Sequence, residues 1–344
     1  MNRRISIFVI SLLVYGVPAD TTAQVEYIDP AGGFTQVVTT TDRGVKTIFV
    51  SGQVGQGEAL QDHVESAFQG VVRRLEQAGA SVEDVVKIRI FVKDFEPDQY
   101  GTIADVRLAT FPEGHWPAST MIGVGALFRD SLRVEIEAIA VVAAPGVDLA
   151  IERFGPSNGF NGAVAVTAHN VKTVYIAGQV GEGDGLTAQT ASVWERVSRQ
   201  LASAGASMAD IVKATTYIVD FDPETDLAAY RIGRDQALNL ADMPASTLLG
   251  IPALVSEQFQ IEIDAIAVLG VNGQPVTRAF IDPATGFSQA VTAQGSGETV
   301  IQLSGQVGQP GDTLENQADQ VYGNLRRRLE AAGGTVEDLL KIVI

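Results

Sequence analysis

The chain has 344 residues, with 41 acidic against 24 basic side chains, a formal charge of −17 and no cysteine. Such a charge repels nucleic-acid phosphates at long range and argues against a nucleic-acid partner. The lack of cysteine excludes disulfides, thiolate metal sites, a cysteine nucleophile and a lipid-modified amino-terminal cysteine, so stability must come from packing.

In chain order the first element is a leader. Arg3 and Arg4 precede an apolar run over residues 5–14, and small residues follow at Val17-Pro18-Ala19 and Thr21-Thr22-Ala23. This is the order of a secretory signal peptide over residues 1–23. The run is too short for a permanent membrane helix. Cleavage after Ala19 or Ala23 is expected to release an exported protein, periplasmic or extracellular, with no membrane attachment afterwards.

The mature part repeats itself. Ser51-Gly52-Gln53-Val54-Gly55 returns at residues 177–181, with Ala177 for the serine, and at residues 304–308, with Ser304 restored. The glutamines at 53, 179 and 306 give periods of 126 and 127 residues. A period of that length is a small domain with its own core rather than a solenoid unit. Three units are expected, over residues 24–145, 150–270 and 276–344, joined by short Gly/Pro linkers at 143–146 and 270–275. The third stops at Ile344, level with Ile90 of the first, so about half a unit is missing from it.

Within each unit the pattern reads α+β. Residues 46–50 and 173–176 are β-prone runs ending at the repeated phrase. Val64, Ala67, Phe68, Val71, Val72 and Leu75 form one apolar helical stripe, and Gly79 is placed to end that helix in a left-handed cap, as are Gly205 and Gly333. A strand alternates through Ile88, Ile90 and Val92, which puts Arg89 and Lys93 on the outward face. A second helix is predicted over about residues 100–110. Pro117-Ala118-Ser119-Thr120 reads as a turn. The closing strand has Val134, Ile136, Ala138 and Ala140 on one face and Glu135 and Glu137 on the other. Antiparallel strands with two helices gathered on one face suit this order.

These motifs in sequence (Gly33-Phe34-Thr35-Gln36, the Ser-Gly-Gln phrase, Ala78-Gly79-Ala80, residues 84–87, the Pro-Ala turn and residues 135–140) resemble the RidA/YjgF family of reactive-intermediate deaminases. The resemblance implies chorismate-mutase-like α+β units that associate in threes, here as a pseudo-trimer within one chain, with small-molecule clefts between neighbouring units. It implies hydrolysis of imines and enamines to a carbonyl compound and ammonia, without a cofactor. Family positions carry over one by one. The water-orienting carboxylate falls on Glu135 and Glu262. The pocket serine falls on Ser51 and Ser304, with Ala177 in the second unit. The pocket aromatic, a tyrosine in the family, falls on Phe34, Phe160 and Phe287. The carboxylate-binding arginine of the Pro-Ala turn is replaced by Ser119 and Ser246. Arg129 and Arg133 are the arginines close enough in sequence to reach the same cleft.

Each candidate also has a plainer reading. Glu135 and Glu262 suit the polar face of a strand, Ser119 and Ser246 suit a turn after proline, and the Gly-Gln-Val-Gly run suits a β-bulge or tight turn. His63, His115 and His169 are too scattered for a metal site. RNA cleavage fits poorly with the acidic charge and the missing general-base histidines. Two functions remain: a deaminase, or a module that holds a small metabolite without turning it over.

Overall fold

The computed structural model describes residues 10–16, 24–238 and 241–344. Arg3, Arg4 and both expected cleavage sites lie outside the described residues. Ile10–Gly16 (β1) is a strand. The first unit then runs Gln24–Ala31 (β2), Phe34–Asp42 (β3), Val45–Val54 (β4), Leu60–Gln77 (α1), Val85–Lys93 (β5), Tyr100–Thr110 (α2), Ala118–Val124 (β6) and Val134–Ala143 (β7). The second repeats the order as Leu149–Ser157 (β8), Phe160–Ala168 (β9), Val171–Val180 (β10), Gly185–Ser203 (α3), Ile211–Val219 (β11), Asp226–Asp235 (α4), Ala245–Ile251 (β12) and Ile261–Gly270 (β13). The third has Thr277–Ala284 (β14), Phe287–Gly295 (β15), Glu298–Gln306 (β16), Leu314–Ala331 (α5) and Leu339–Val343 (β17).

Local chemistry sets these boundaries. Arg43-Gly44 and His169-Asn170 connect their strands as two-residue turns, all four residues at positive φ, the hairpin geometry that matches strand twist. Gly79, Gly205 and Gly333 take positive φ just past α1, α3 and α5, as their placement predicts. The predicted stripe of α1 is buried at Val64, Ala67, Phe68, Val71 and Leu75, with Val72 at its edge. It packs on Ile48, Val50, Ile88, Ile136 and Ala138. Phe68 meets Phe111 edge-on, ring centroids 5.8 Å apart. In the second unit Val193, Trp194, Val197 and Leu201 do the same work.

Three expectations need correction. The Pro-Ala-Ser-Thr segment is no turn: Ala118 opens β6, which runs parallel to β5. The sheets are therefore mixed rather than antiparallel throughout. Arg89 does not face solvent either, because the sheet face opposite the helices is covered by the other units. Phe49, Val86 and Ile139 of the first unit, Tyr175, Val212 and Ile266 of the second and Val291 and Leu340 of the third share one buried cluster. Neighbouring units also touch strand to strand, β6 with β9 at Ala118–Asn161 and β12 with β15 at Ala245–Ser288.

In the first two units the closing strand lies between the strands before and after the main helix, β7 between β4 and β5 and β13 between β10 and β11. In the third, β1 pairs antiparallel with both β16 and β17 and takes that lane.

The shared face also carries charge. Arg89 donates to Glu137 of its own unit (2.9 Å) and through Nε to Asp264 of the second unit (2.8 Å). Lys87 lies 3.3 Å from Asp264, and Lys341 of the third unit 2.8 Å from Glu137. Burial pulls the Lys87 ammonium down to about 8, although Asp264 resists it. Lys213, with no carboxylate within ion-pair distance among the described residues, falls to about 7 for the same reason. It donates instead to Thr247 Oγ1 (2.6 Å) and the Leu303 carbonyl of the third unit (2.8 Å).

Candidate functional site between the repeats

The repeated phrase is a β-bulge. Pairing of β4 with β7 slips between Val50 and Gln53, and β10 slips against β13 between Ile176 and Gln179. The glutamine side chain satisfies the bulge from within: Gln53 Nε2 donates to the Ser51 carbonyl (3.0 Å), Gln179 to Ala177 (3.1 Å) and Gln306 to Ser304 (3.2 Å). The glycine is required by the closing strand. A Cβ on Gly52 would sit 1.8 Å from Glu135 Oε1, and one on Gly178 would sit 1.6 Å from Glu262 Oε1. The phrase thus presses a glutamate onto bare backbone. Gly178→Ala is expected to force Glu262 out of its place at a cost of about 1–3 kcal/mol, the usual range for overpacking. Urea denaturation measures it, and unchanged stability would contradict this account of the glycine.

The candidate residues meet across the seams between units, and this separates residues that look like partners in sequence. Between units one and two, Arg107 and Met121 of the first meet Phe160 and Glu262 of the second. Arg107 Nη1 is 3.4 Å from Ser119 Oγ, its guanidinium lies 5.0 Å from the Phe160 ring centroid, and the Met121 backbone hydrogen-bonds Glu262. Between units two and three, the Ser246 amide donates to Ser304 Oγ at 2.7 Å. That hydroxyl in turn donates to the Ser288 carbonyl (2.5 Å), so Ser304 joins two units structurally. Among the described residues no glutamate reaches this seam, and β1 lies in the lane of the closing strand there. Phe34, Ser51 and Glu135 lie on the far edge of the first unit, where the described residues hold no counterpart of β6. Phe34 is 54% exposed there, and Ser51 Oγ donates to the Thr35 carbonyl at 2.6 Å. Glu135 and Ser119 therefore belong to different places. Among the described residues, only the seam between the first two units combines a glutamate with the Pro-Ala segment of a neighbour.

Electrostatics distinguish the two glutamates. Burial, then the neighbouring Asp264 charge, push the Glu262 carboxyl up to about 8, against the pull of Lys87 and the Met121 backbone. Glu135 is also raised, by burial and by Glu137, but it is the more exposed of the two. Arg129, a sequence candidate for the missing guanidinium, instead lies over the exposed ring of Phe128, 5.1 Å from its centroid. The guanidinium at the cleft is Arg107, on α2, which the sequence reading missed. The signal was present: Arg234 recurs one period later, on α4. No group of histidine, cysteine, aspartate and glutamate suited to a metal occurs among the described residues.

Repeated α+β units joined strand to strand at their seams and through one buried face define a tandem-domain protein. The family model described as endoribonuclease L-PSP matches residues 24–142 and 150–269, and the chain belongs to this RidA/YjgF family. A 2-iminobutanoate/2-iminopropanoate deaminase of Dermatophagoides farinae is 31% identical over 121 residues, covering 33% of this chain and 88% of that protein. A RutC family protein of Pyrococcus abyssi is 34% identical over 101 residues, covering 27% and 76%. The crystal structure of a chorismatase matches 71% of this chain and 79% of its own with a TM-score of 0.52 at 13% identity, which is a likeness of fold alone.

Proposed function

We propose that the protein is a deaminase of small imines and enamines, acting in the cleft between the first two units, with Glu262 as the proton-handling group. The observation that carries this is the buried Glu262 carboxyl, pressed on Gly178 and hydrogen-bonded by the Met121 backbone of the neighbouring unit, a setting in which burial pushes its pKa up to about 8. Membership of the family and the deaminase relative support the reaction class. At neutral pH the carboxyl carries a proton. It protonates the C=N nitrogen, and the resulting carboxylate takes a proton from water as the oxygen bonds to carbon. The same carboxyl then protonates the amine, recovers the hydroxyl proton as the C–N bond breaks, and releases ammonia and the carbonyl compound. Water supplies the oxygen and no cofactor enters the balance.

The test generates an imine in situ with an amino-acid oxidase and follows its disappearance. Wild type is expected to accelerate it, and Glu262→Gln to lose roughly 100-fold or more of that acceleration, the usual worth of general acid–base catalysis. Equal rates with and without protein would reject the reading. A non-catalytic metabolite-binding role is the second reading, favoured by Ala177, which removes the serine hydroxyl at the one seam among the described residues that has both a glutamate and the Pro-Ala segment of a neighbour.

We also propose that residues 24–145, 150–270 and 276–344 act as a pseudo-trimer, so that light scattering gives a single chain; a stable trimer of chains would overturn this. Export follows from the leader pattern. Amino-terminal sequencing of the exported protein is expected to begin near Asp20 or Gln24. An intact amino terminus would reject cleavage and would leave residues 10–16 available to the sheet of the third unit. No helix among the described residues is long and apolar enough to cross a membrane, and a small molecule is the partner that the cleft suits.

A further inference from the structure

We propose that the cleft between the first two units binds a small carboxylate on Arg107, a guanidinium supplied by α2 in place of the one absent at Ser119, and that the second cleft does not. Arg107 is only 2% exposed. No carboxylate lies within ion-pair distance of it among the described residues. Its partners are neutral: the Asn158 carbonyl at 2.8 Å, Tyr100 Oη at 3.3 Å, Ser119 Oγ at 3.4 Å and the face of Phe160. Nε has no hydrogen-bond partner. Burying a cation without a counter-charge is costly, and neutral oxygens repay it only in part. The neutral partners fix the plane of the guanidinium, while Nε, one prong of the fork that pairs with a carboxylate, stays unused.

The second cleft is an internal control. Arg234 holds the corresponding place, buried beside the Gly286 turn as Arg107 lies beside Gly159. Its Nε donates to Asp235 Oδ1 at 2.8 Å, so its charge is already met by the next residue. The residue after Arg107 is Leu108. One position, leucine or aspartate, thus decides which guanidinium is left for a ligand. The Phe160 ring beside it suits a short apolar body attached to the carboxylate. The inference uses the same cleft as the deaminase reading but does not depend on turnover.

Calorimetry on the full chain tests it, with 2-oxobutanoate as the probe and its uncharged methyl ester as the comparison. The expected result is one carboxylate site per chain, with the ester bound at least about tenfold more weakly. Arg107→Gln should weaken 2-oxobutanoate by about 10- to 100-fold, the worth of one or two charge-assisted hydrogen bonds. Arg234→Gln should leave it unchanged. Leu108→Asp, which copies the second cleft, should weaken it about as much while keeping Arg107 in place, and this variant decides the matter if Arg107→Gln fails to fold. Absence of binding at millimolar probe, two equal sites, no preference over the ester, or binding indifferent to Leu108→Asp would each overturn the proposal. Arg107-dependent binding without imine hydrolysis would reject the deaminase reading and leave this one standing. Glu262-dependent hydrolysis with no effect of Arg107 would do the reverse.

Discussion

Glu262→Gln is expected to make the protein more stable at pH 8 than the wild type, by about 4 kcal/mol, with the difference vanishing near pH 4. The sign follows from the direction of the shift. The folded carboxyl titrates at about 8, above its ordinary value of 4.5. Folding therefore binds its proton more tightly, and the stability this group contributes is complete below pH 4.5 and lost as pH rises through about 8. Glutamine keeps the shape and never ionises, so its curve lacks that slope. Urea midpoints from pH 4 to 9 measure the difference. Parallel curves for the two proteins would mean that Glu262 is ionised in the folded state at neutral pH, and the proton-donating step proposed for it would fall. A stabilising substitution that removes catalysis is the ordinary signature of an active-site group held in an unfavourable setting.

Arg89→Ala is expected to cost about 3 kcal/mol, the low end of the range for breaking a buried charge network, because Lys87 and Lys341 still reach the carboxylates left behind. Asp264 is 1% exposed and Glu137 7%, so neither can recover its hydration. Burial pushes the Asp264 carboxyl up, but Arg89 and Lys87 outweigh it and hold it well below its ordinary range. That depressed pKa contributes stability that is complete above about pH 4 and is lost as pH falls through the folded value. The variant should lose part of this acid sensitivity along with its stability. Since Arg89 ties the first unit to the second, partial unfolding in which the two units separate would appear as a lower urea m-value. An unchanged midpoint would show that the network adds nothing net.

The repeat itself was legible because equal spacing of several motifs survives without any structure, and α1, α2 and the glycine caps followed from local periodicity and turn chemistry. What sequence could not give lies across the seams. Alternation placed Arg89 opposite Ile88 and Ile90, yet alternation names a face and not what covers it; here a neighbouring unit does. β6 escaped because residues 118–123 are all buried and show no period of two. Arg107 escaped because an arginine on a short helix reads as a solvated face, while its contacts at Asn158 and Phe160 lie some fifty residues away in the next unit. Ser119 and Glu135 are near in sequence and suggest one site, but Ser119 lies at the seam with the second unit and Glu135 at the opposite edge of the first. Glycine of the repeated phrase was read as bulge geometry, which the pairing bears out; its second reason, the glutamate lying over it, needed coordinates.

The central claim is that one cleft, between the first two units, carries the chemistry. Its most direct test compares Glu262→Gln with Glu135→Gln in the same oxidase-coupled imine assay, each checked for folding by circular dichroism. The account predicts that Glu262→Gln falls to the rate without protein while Glu135→Gln keeps most of the wild-type acceleration. Loss of activity in Glu135→Gln with retention in Glu262→Gln, or equal partial losses in both, would contradict it.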